Sequence, residues 1–154
     1  MIILEGIDKS GKTTLANEFK KRGFNIVKSS APIGDPYNEY INKILTAPDN
    51  TVFDRLHWGE LAYGPVKRGK SLINNNKFLS IELILKMKKA KIIYCEPSDE
   101  WTKEKLISEK EEYINYNESK KIKKLYHKVI AKSILPVIYY EIPKDNILSI
   151  IKKI

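Results

Sequence analysis

Apolar β-type runs alternate with amphipathic stretches along the whole chain. This alternation predicts an α/β fold, a parallel sheet covered by helices. The runs at 2–5, 24–28, 51–54, 91–95 and 137–142 predict five strands. Between them apolar positions recur at helical spacing. Leu15, Ala16 and Phe19 share one face of a helix over 12–22, and Gly23 stands where a C-terminal cap belongs. Tyr37, Tyr40, Ile41, Ile44 and Leu45 do the same over 37–45, before Pro48 and Asn50 break the chain. A short helix is expected over 56–63 and an exposed loop over 64–76. Phe78, Ile81 and Leu85, with Ile84 at the margin of their face, predict a helix over 77–89. Charged helical regions over about 99–112 and 118–133 follow, the second presenting Ile122, Leu125, Val129 and Ile130. A closing helix over 145–154 is expected to pack Ile147, Leu148 and Ile151 inward. No repeat, linker or low-complexity tract interrupts the pattern.

Chemistry enters between the first strand and the first helix. Gly6-Ile7-Asp8-Lys9-Ser10-Gly11-Lys12-Thr13 fits the phosphate-binding pattern G-x-x-x-x-G-K-[ST] at every fixed position. The flanks matter more than the string, because such a loop works only when a strand delivers it and a helix N-terminus receives it. Its N–H groups turn inward toward phosphate oxygens, Lys12 reaches the β- and γ-phosphates, and the Thr13 hydroxyl can ligate Mg²⁺. A second constellation, Phe53-Asp54-Arg55, ends the third strand. In an open parallel sheet that end shares an edge with the phosphate loop. Asp54 is placed there to hold a metal-bound water, and Arg55 to neutralise phosphate charge.

Composition narrows the field. At 154 residues and 42% hydrophobic, the chain is expected to form one domain, 1–154, with one substantial core. No apolar run is long enough to cross a membrane, and the N-terminal one is too short for a signal peptide, so a cytoplasmic protein is expected. Cys95 is the only cysteine, which excludes an intrachain disulfide and predicts an inert buried thiol. The formal charge is +9, from 28 basic residues of which only Arg22, Arg55 and Arg68 are arginine. Such a surface attracts anions, and it admits nucleic acid as a partner without favouring it. Lys120-Lys121 and Lys123-Lys124 read as a solvated helix face. His57 reads as structural or solvent-facing and His127 as a surface residue. No Cys or His cluster has metal-ligand spacing, which leaves Mg²⁺ held through ATP as the expected metal.

Leu4-Glu5-Gly6-Ile7-Asp8-Lys9-Ser10-Gly11-Lys12-Thr13-Thr14 and Asp54-Arg55 together resemble the thymidylate kinase branch of the nucleoside monophosphate kinases. Trp58-Gly59-Glu60-Leu61-Ala62-Tyr63-Gly64 is similar to the continuation found in virus-encoded members. The resemblance implies a P-loop kinase fold with sheet order 2-3-1-4-5, a lid-like helical segment over about 98–116, and ATP bound at Gly6, Lys9, Ser10, Gly11, Lys12, Thr13 and Thr14. It implies that Lys12, Lys9 and Arg55 stabilise the transferred group, and that Thr13 and Asp54 hold Mg²⁺. Asp8, Arg55, Trp58, Tyr63 and Arg68 would bind the acceptor. The branch is often dimeric, which leaves a homodimer open.

Three departures qualify the match. Lys28-Ser29-Ser30-Ala31-Pro32 replaces the Arg-Glu-Pro-Gly run common after strand two. The lid carries Lys103, Lys105 and Lys110 but no arginine. The chain is also short between strands two and three, which predicts a more open base pocket. A phosphate acceptor needs cations, whereas a sugar hydroxyl usually needs a carboxylate base. Asp35 and Glu60 are the uncommitted carboxylates, and Lys28 stands where deoxynucleoside kinases usually carry one. The expected reaction is therefore ATP- and Mg²⁺-dependent phosphorylation of a deoxynucleoside monophosphate, with a thymidylate-like acceptor favoured. The alternatives are a kinase acting on a hydroxyl of a deoxynucleoside or of DNA, and a non-catalytic nucleotide-binding regulator. Tyr37 and Tyr40 fall near the base pocket in this topology but equally suit the core.

Overall fold

Five parallel strands, β1 (Ile2–Glu5), β2 (Asn25–Lys28), β3 (Thr51–Asp54), β4 (Lys91–Pro97) and β5 (Val137–Ile142), form one sheet in the order β2-β3-β1-β4-β5. The computed structural model describes residues 1–108 and 113–154. Part of the expected lid-like segment, 109–112, lies outside the described residues. The helices are α1 (Lys12–Lys21), α2 (Tyr37–Thr46), α3 (His57–Arg68), α4 (Asn75–Met87), α5 (Asp99–Ser108), α6 (Tyr116–Ile130) and α7 (Ile147–Ile151).

The central strands are mainly apolar because both faces are covered, with charged residues at or near their ends. Side chains alternate along each strand, so Ile3, Phe53, Ile92 and Tyr94 enter one core with residues of α2, α3, α4 and α6. Ile2, Leu4, Val52, Ile93 and Cys95 enter the other, against Leu15, Ala16 and Phe19 of α1 and Ile150 of α7. Each such fully buried side chain contributes about 1.5–3 kcal/mol relative to exposure. Helix α6 begins with a reciprocal capping box, in which Asn115 Oδ1 accepts from the Glu118 N–H and the Glu118 carboxylate accepts from the Asn115 N–H.

Register sets up the site. Leu4 of β1 and Lys28 of β2 both pair with Asp54 of β3, so the three strands end together on one edge. The expected bounds of β1, β3 and β5 match, and three expectations are corrected. Residues 64–76 are not one loop, since α3 runs on to Arg68 through Pro65 and α4 begins at Asn75. In α7 the buried residue is Ile150, whereas Leu148 is half exposed. Leu45, grouped by helical spacing with the apolar positions of α2, is exposed. No helix among the described residues is long and apolar enough to cross a membrane.

Candidate functional site

The chain leaves β1 at Gly6, whose φ is +142°. A Cβ there would meet the Cys95 carbonyl oxygen at 2.4 Å, so only glycine lets the loop begin against β4. Lys9 and Gly11 also adopt positive φ, at 60° and 72°, and the loop winds into the start of α1. Lys12 is buried beneath it. Its ammonium donates to the Gly6 carbonyl and to Ser10 Oγ, each at 3.0 Å, and to the Ile7 carbonyl. Burial, followed by the nearby Arg55 charge, lowers its pKa to about 8. An anion in the loop would relieve that strain on the charge.

Asp54 ends β3, and the next residue turns sharply, with Arg55 at φ 66°. Two contacts from β1 hold the turn. The Arg55 N–H donates to the Leu4 carbonyl at 2.9 Å, and the Leu56 N–H donates to Glu5 Oε1 at 3.0 Å. Tyr126 of α6 donates its hydroxyl to Glu5 Oε2 at 3.1 Å. The guanidinium then reaches back to the loop, donating to Asp8 Oδ1 at 2.5 Å and to the Tyr63 hydroxyl at 3.1 Å. Tyr63 donates to Asp8 Oδ2 at 2.9 Å, and the Arg55 guanidinium lies 4.7 Å from its ring centre. Burial opposes the Asp8 charge, but Arg55, Lys12 and the hydrogen bonds outweigh it and hold the carboxyl below its usual range.

Two cavities meet at this turn. The first, about 610 Å³, is lined by the loop from Asp8 to Thr14 with Lys28, Asp54, Trp101 and Lys105. The second, about 280 Å³, is lined by Ser30, Ala31 and Pro32 with Tyr40, Leu56, Gly59, Glu60, Tyr63, Arg68 and Tyr113. Ser29 and Arg55 line both. Residues 56, 59, 60 and 63 recur at helical spacing, so one stripe of α3 faces the second cavity. Arg68, one turn beyond the stripe, donates to both Glu60 oxygens at 2.6 Å. The first cavity is therefore basic and suited to polyphosphate. Thr13 and Asp54, a hydroxyl and a carboxylate in its wall, fit a hydrated Mg²⁺ that takes its remaining ligands from phosphate and water. Among the described residues no three His, Cys, Asp or Glu side chains gather to hold a metal by themselves.

The structure brings Asp8, Lys9, Ser10, Gly11, Lys12, Thr13, Thr14, Asp54, Arg55, Tyr63 and Arg68 to these two cavities. Gly6 acts through the bend and does not line them. Trp58 requires correction. It is fully buried among core side chains, and its Nε1 donates to Glu82 Oε1 at 2.9 Å, because its position on α3 points away from the stripe at 59, 60 and 63. The carboxylates read as uncommitted are both engaged. Asp35 pairs with Lys77 on the surface, and Glu60 accepts from Arg68 and from the Leu72 N–H at 2.7 Å. His57 is structural, buried with Nε2 2.7 Å from Glu82 Oε1, while His127 is half exposed beside Glu96. Cys95 is buried, and burial pushes its thiol up to about 12. Tyr40 lines the second cavity, but Tyr37 bonds Ser80 through its hydroxyl.

Sequence reasoning passed over Glu5, Ser29, Trp101 and Tyr113. Trp101 donates from Nε1 to the Lys9 carbonyl at 3.3 Å, tying α5 to the loop. A signal exists for Glu5, as a carboxylate closing the apolar run Ile-Ile-Leu before the phosphate loop, and for Ser29 only through the altered run 28–32 after strand two.

No protein-family model matches the chain. Over 139 residues it is 30% identical to the SPbeta prophage-derived uncharacterized protein YorR of Bacillus subtilis, covering 86% of this chain and 83% of that protein. A thymidylate kinase of Halothermothrix orenii is 43% identical over 53 residues, 32% of this chain and 26% of the relative. The crystal structure of YorR in complex with phosphorylated GDP superposes with a TM-score of 0.85 at 24% identity, over 99% of this chain and 91% of YorR. Deoxyadenosine kinase of M. mycoides, with bound dCTP, superposes with a TM-score of 0.63 at 18% identity, over 99% of this chain and 98% of that one. The sheet order of this chain and the nearly complete superpositions give the P-loop nucleoside kinase fold, and at 30% identity over 83% of YorR the chain belongs to the family of YorR.

Proposed function

We propose that the protein transfers the γ-phosphoryl group of ATP to a deoxynucleoside monophosphate, with a thymidylate-like acceptor favoured. The observation that carries this reading is the position of Arg55, whose side chain lines both the phosphate-loop cavity and the second cavity beside it. A cation at that junction can face a donor phosphate on one side and an acceptor phosphate on the other. A sugar hydroxyl would instead need a carboxylate base. The carboxylates nearest the second cavity are occupied, Asp8 by Arg55 and Tyr63, and Glu60 by Arg68 and a backbone N–H. The local similarity to a thymidylate kinase supports the choice of acceptor class.

In this reading Lys12 and Lys9 neutralise the donor phosphates, and Arg55 stabilises charge on the group in transit. Asp8 and Tyr63 hold Arg55 in line. Arg68, fixed on Glu60, and Tyr63 border the acceptor. Mg²⁺, when bound, would screen the phosphate oxygens, and Thr13 and Asp54 are the residues that would hold it. The whole chain, 1–154, would act as one kinase domain with 98–116 as its lid, working in the cytoplasm where ATP is supplied.

The experiment is to incubate the protein with Mg²⁺, ATP and separate panels of deoxynucleosides, deoxynucleoside monophosphates and DNA, following ADP release. Turnover with monophosphates alone is expected. Turnover only with nucleosides or DNA would transfer the reading to a hydroxyl acceptor, and binding of ATP without turnover would make the protein a nucleotide-dependent regulator.

A further inference from the structure

Ser29 follows β2 directly, and its N–H donates to the Asp54 carbonyl at 3.1 Å. That bond holds it beside the turn at Arg55. With Arg55 it lines both cavities. Its hydroxyl oxygen is buried and has no hydrogen-bond partner among the described residues. Buried polar atoms without a partner are uncommon in native proteins, and each calls for a specific explanation. Among the described residues there are three others, Thr51 Oγ1, His57 Nδ1 and the Tyr94 hydroxyl. None of those three residues lines either cavity, whereas Ser29 lines both.

We propose that Ser29 is an acceptor-binding residue, whose hydroxyl donates a hydrogen bond to the phosphate of the acceptor nucleotide where the two cavities meet. This rests on the monophosphate reading above. Phosphate oxygens only accept hydrogen bonds, and rotation of the Ser29 side chain about its Cα–Cβ bond would bring the buried hydroxyl to the cavity wall, where it can donate to one. A hydrogen bond to an ionised oxygen is also the strong kind. A neutral hydroxyl beside the Arg55 guanidinium adds a donor without cancelling the cation's charge. A carboxylate at the same place would pair with Arg55 and repel the phosphate.

The test compares Ser29→Ala, Ser29→Thr and Ser29→Asp with the wild-type protein, using dTMP, dGMP, dAMP and dCMP as acceptors. Ser29→Ala is expected to raise the acceptor KM about tenfold, as loss of a charge-assisted hydrogen bond does. The ATP KM should stay within about twofold. Melting temperature should not fall, since the change removes an unpaired buried hydroxyl; a serine with a purely structural bond would behave oppositely. Ser29→Thr should restore most of the acceptor affinity, and Ser29→Asp should abolish turnover of monophosphates. An unchanged acceptor KM in Ser29→Ala, or an equal rise in the ATP KM, overturns the proposal. Should the wild-type protein turn over no monophosphate, the proposed function fails on its own. Calorimetric titration of dTMP and dGMP into wild type and Ser29→Ala then decides the serine, with equal affinity or no binding counting against it.

Discussion

Asp8 and Arg55, 47 residues apart in the chain, are joined by a hydrogen bond of 2.5 Å that ties the phosphate loop to the turn after β3. Tyr63 bonds both partners, so the pair is held from a third element, α3. Each of the two residues alone is a variable position or a common charge. Together they fix one guanidinium at the boundary of two cavities.

Asp8→Asn should release that guanidinium without emptying the loop. Turnover is expected to fall about tenfold to a hundredfold, the scale of a misplaced charge-stabilising group, while ATP affinity changes little. Arg55→Ala should lower turnover further, again with ATP binding largely kept. The Asp8 carboxyl sits below its usual pKa range, so its stabilising contribution is present above the unfolded value near 3.9 and disappears as pH falls through the folded value. Steady-state kinetics beside nucleotide titration checks both variants. Near-normal turnover in Arg55→Ala would remove Arg55 from the reaction.

Lys12 gives a proton-linked prediction. Its folded pKa of about 8 lies below the ordinary lysine value, so between those values the unfolded chain binds the proton that the native one has shed, and stability from this group rises with pH across that window. ATP in the loop adds negative charge and should restore the proton. Near pH 8 about half the ligand-free molecules lack it, so binding should take up about half a proton per ATP, and close to none at pH 6. Calorimetry in two buffers of different ionisation enthalpy measures this directly. Absence of uptake at pH 8 would mean that Lys12 is already fully charged.

The parts of the fold that were legible in the sequence are those governed by local pattern. Strands β1, β3 and β5 and the phosphate loop rest on apolar runs and glycine spacing, and their bounds hold. The sequence predicts a short helix α3 because Gly64-Pro65 is a local stop signal. It continues through them with Glu60 and Arg68, both on α3, paired across the proline, and Gly64 leaves room for that pair, since a Cβ there would lie 2.8 Å from Glu60 Oε1 and 2.9 Å from the Lys70 carbonyl. Trp58 follows Asp54 and Arg55 closely in sequence, yet helix phase separates it from residues 59, 60 and 63, which face the second cavity. Ser29 is legible only as a member of the altered run 28–32, since its own importance lies in a missing partner.

Glu5 should behave as a buried support for the Arg55 turn. Burial raises its pKa above the ordinary carboxyl value despite the opposing hydrogen bonds and charges. In the pH window between the unfolded and folded values the native state binds more protons, so stability from this group falls as pH rises through it. Glu5→Gln keeps an acceptor for the Leu56 N–H and removes the titration, so its stability relative to wild type should increase from about pH 5 upward. Glu5→Ala leaves the Leu56 N–H unpaired, while the Tyr126 hydroxyl keeps the Gly6 carbonyl at 3.3 Å, and should cost about 1–3 kcal/mol. Urea unfolding at pH 5 and pH 7.5 compares the three proteins. Parallel slopes for wild type and Glu5→Gln would argue against a buried, titrating Glu5.

Glu82 gathers the opposite side of α3. Its buried carboxylate accepts from Trp58 Nε1 at 2.9 Å, Ser133 Oγ at 2.6 Å and the Ile134 N–H at 2.9 Å, and it lies 2.7 Å from His57 Nε2. Burial opposes its charge, but the hydrogen bonds and His57 prevail and keep its pKa low. Glu82→Ala strands those partners in the core and should destabilise the fold by about 3–5 kcal/mol. Trp58→Phe breaks one of the bonds while keeping most of the packing, and should cost about 1–3 kcal/mol. Because the indole lies in the core and outside both cavities, the acceptor KM of Trp58→Phe should stay within about twofold of wild type even as its melting temperature drops. A rise in acceptor KM beyond about fivefold, with stability unchanged, would return Trp58 to the base pocket.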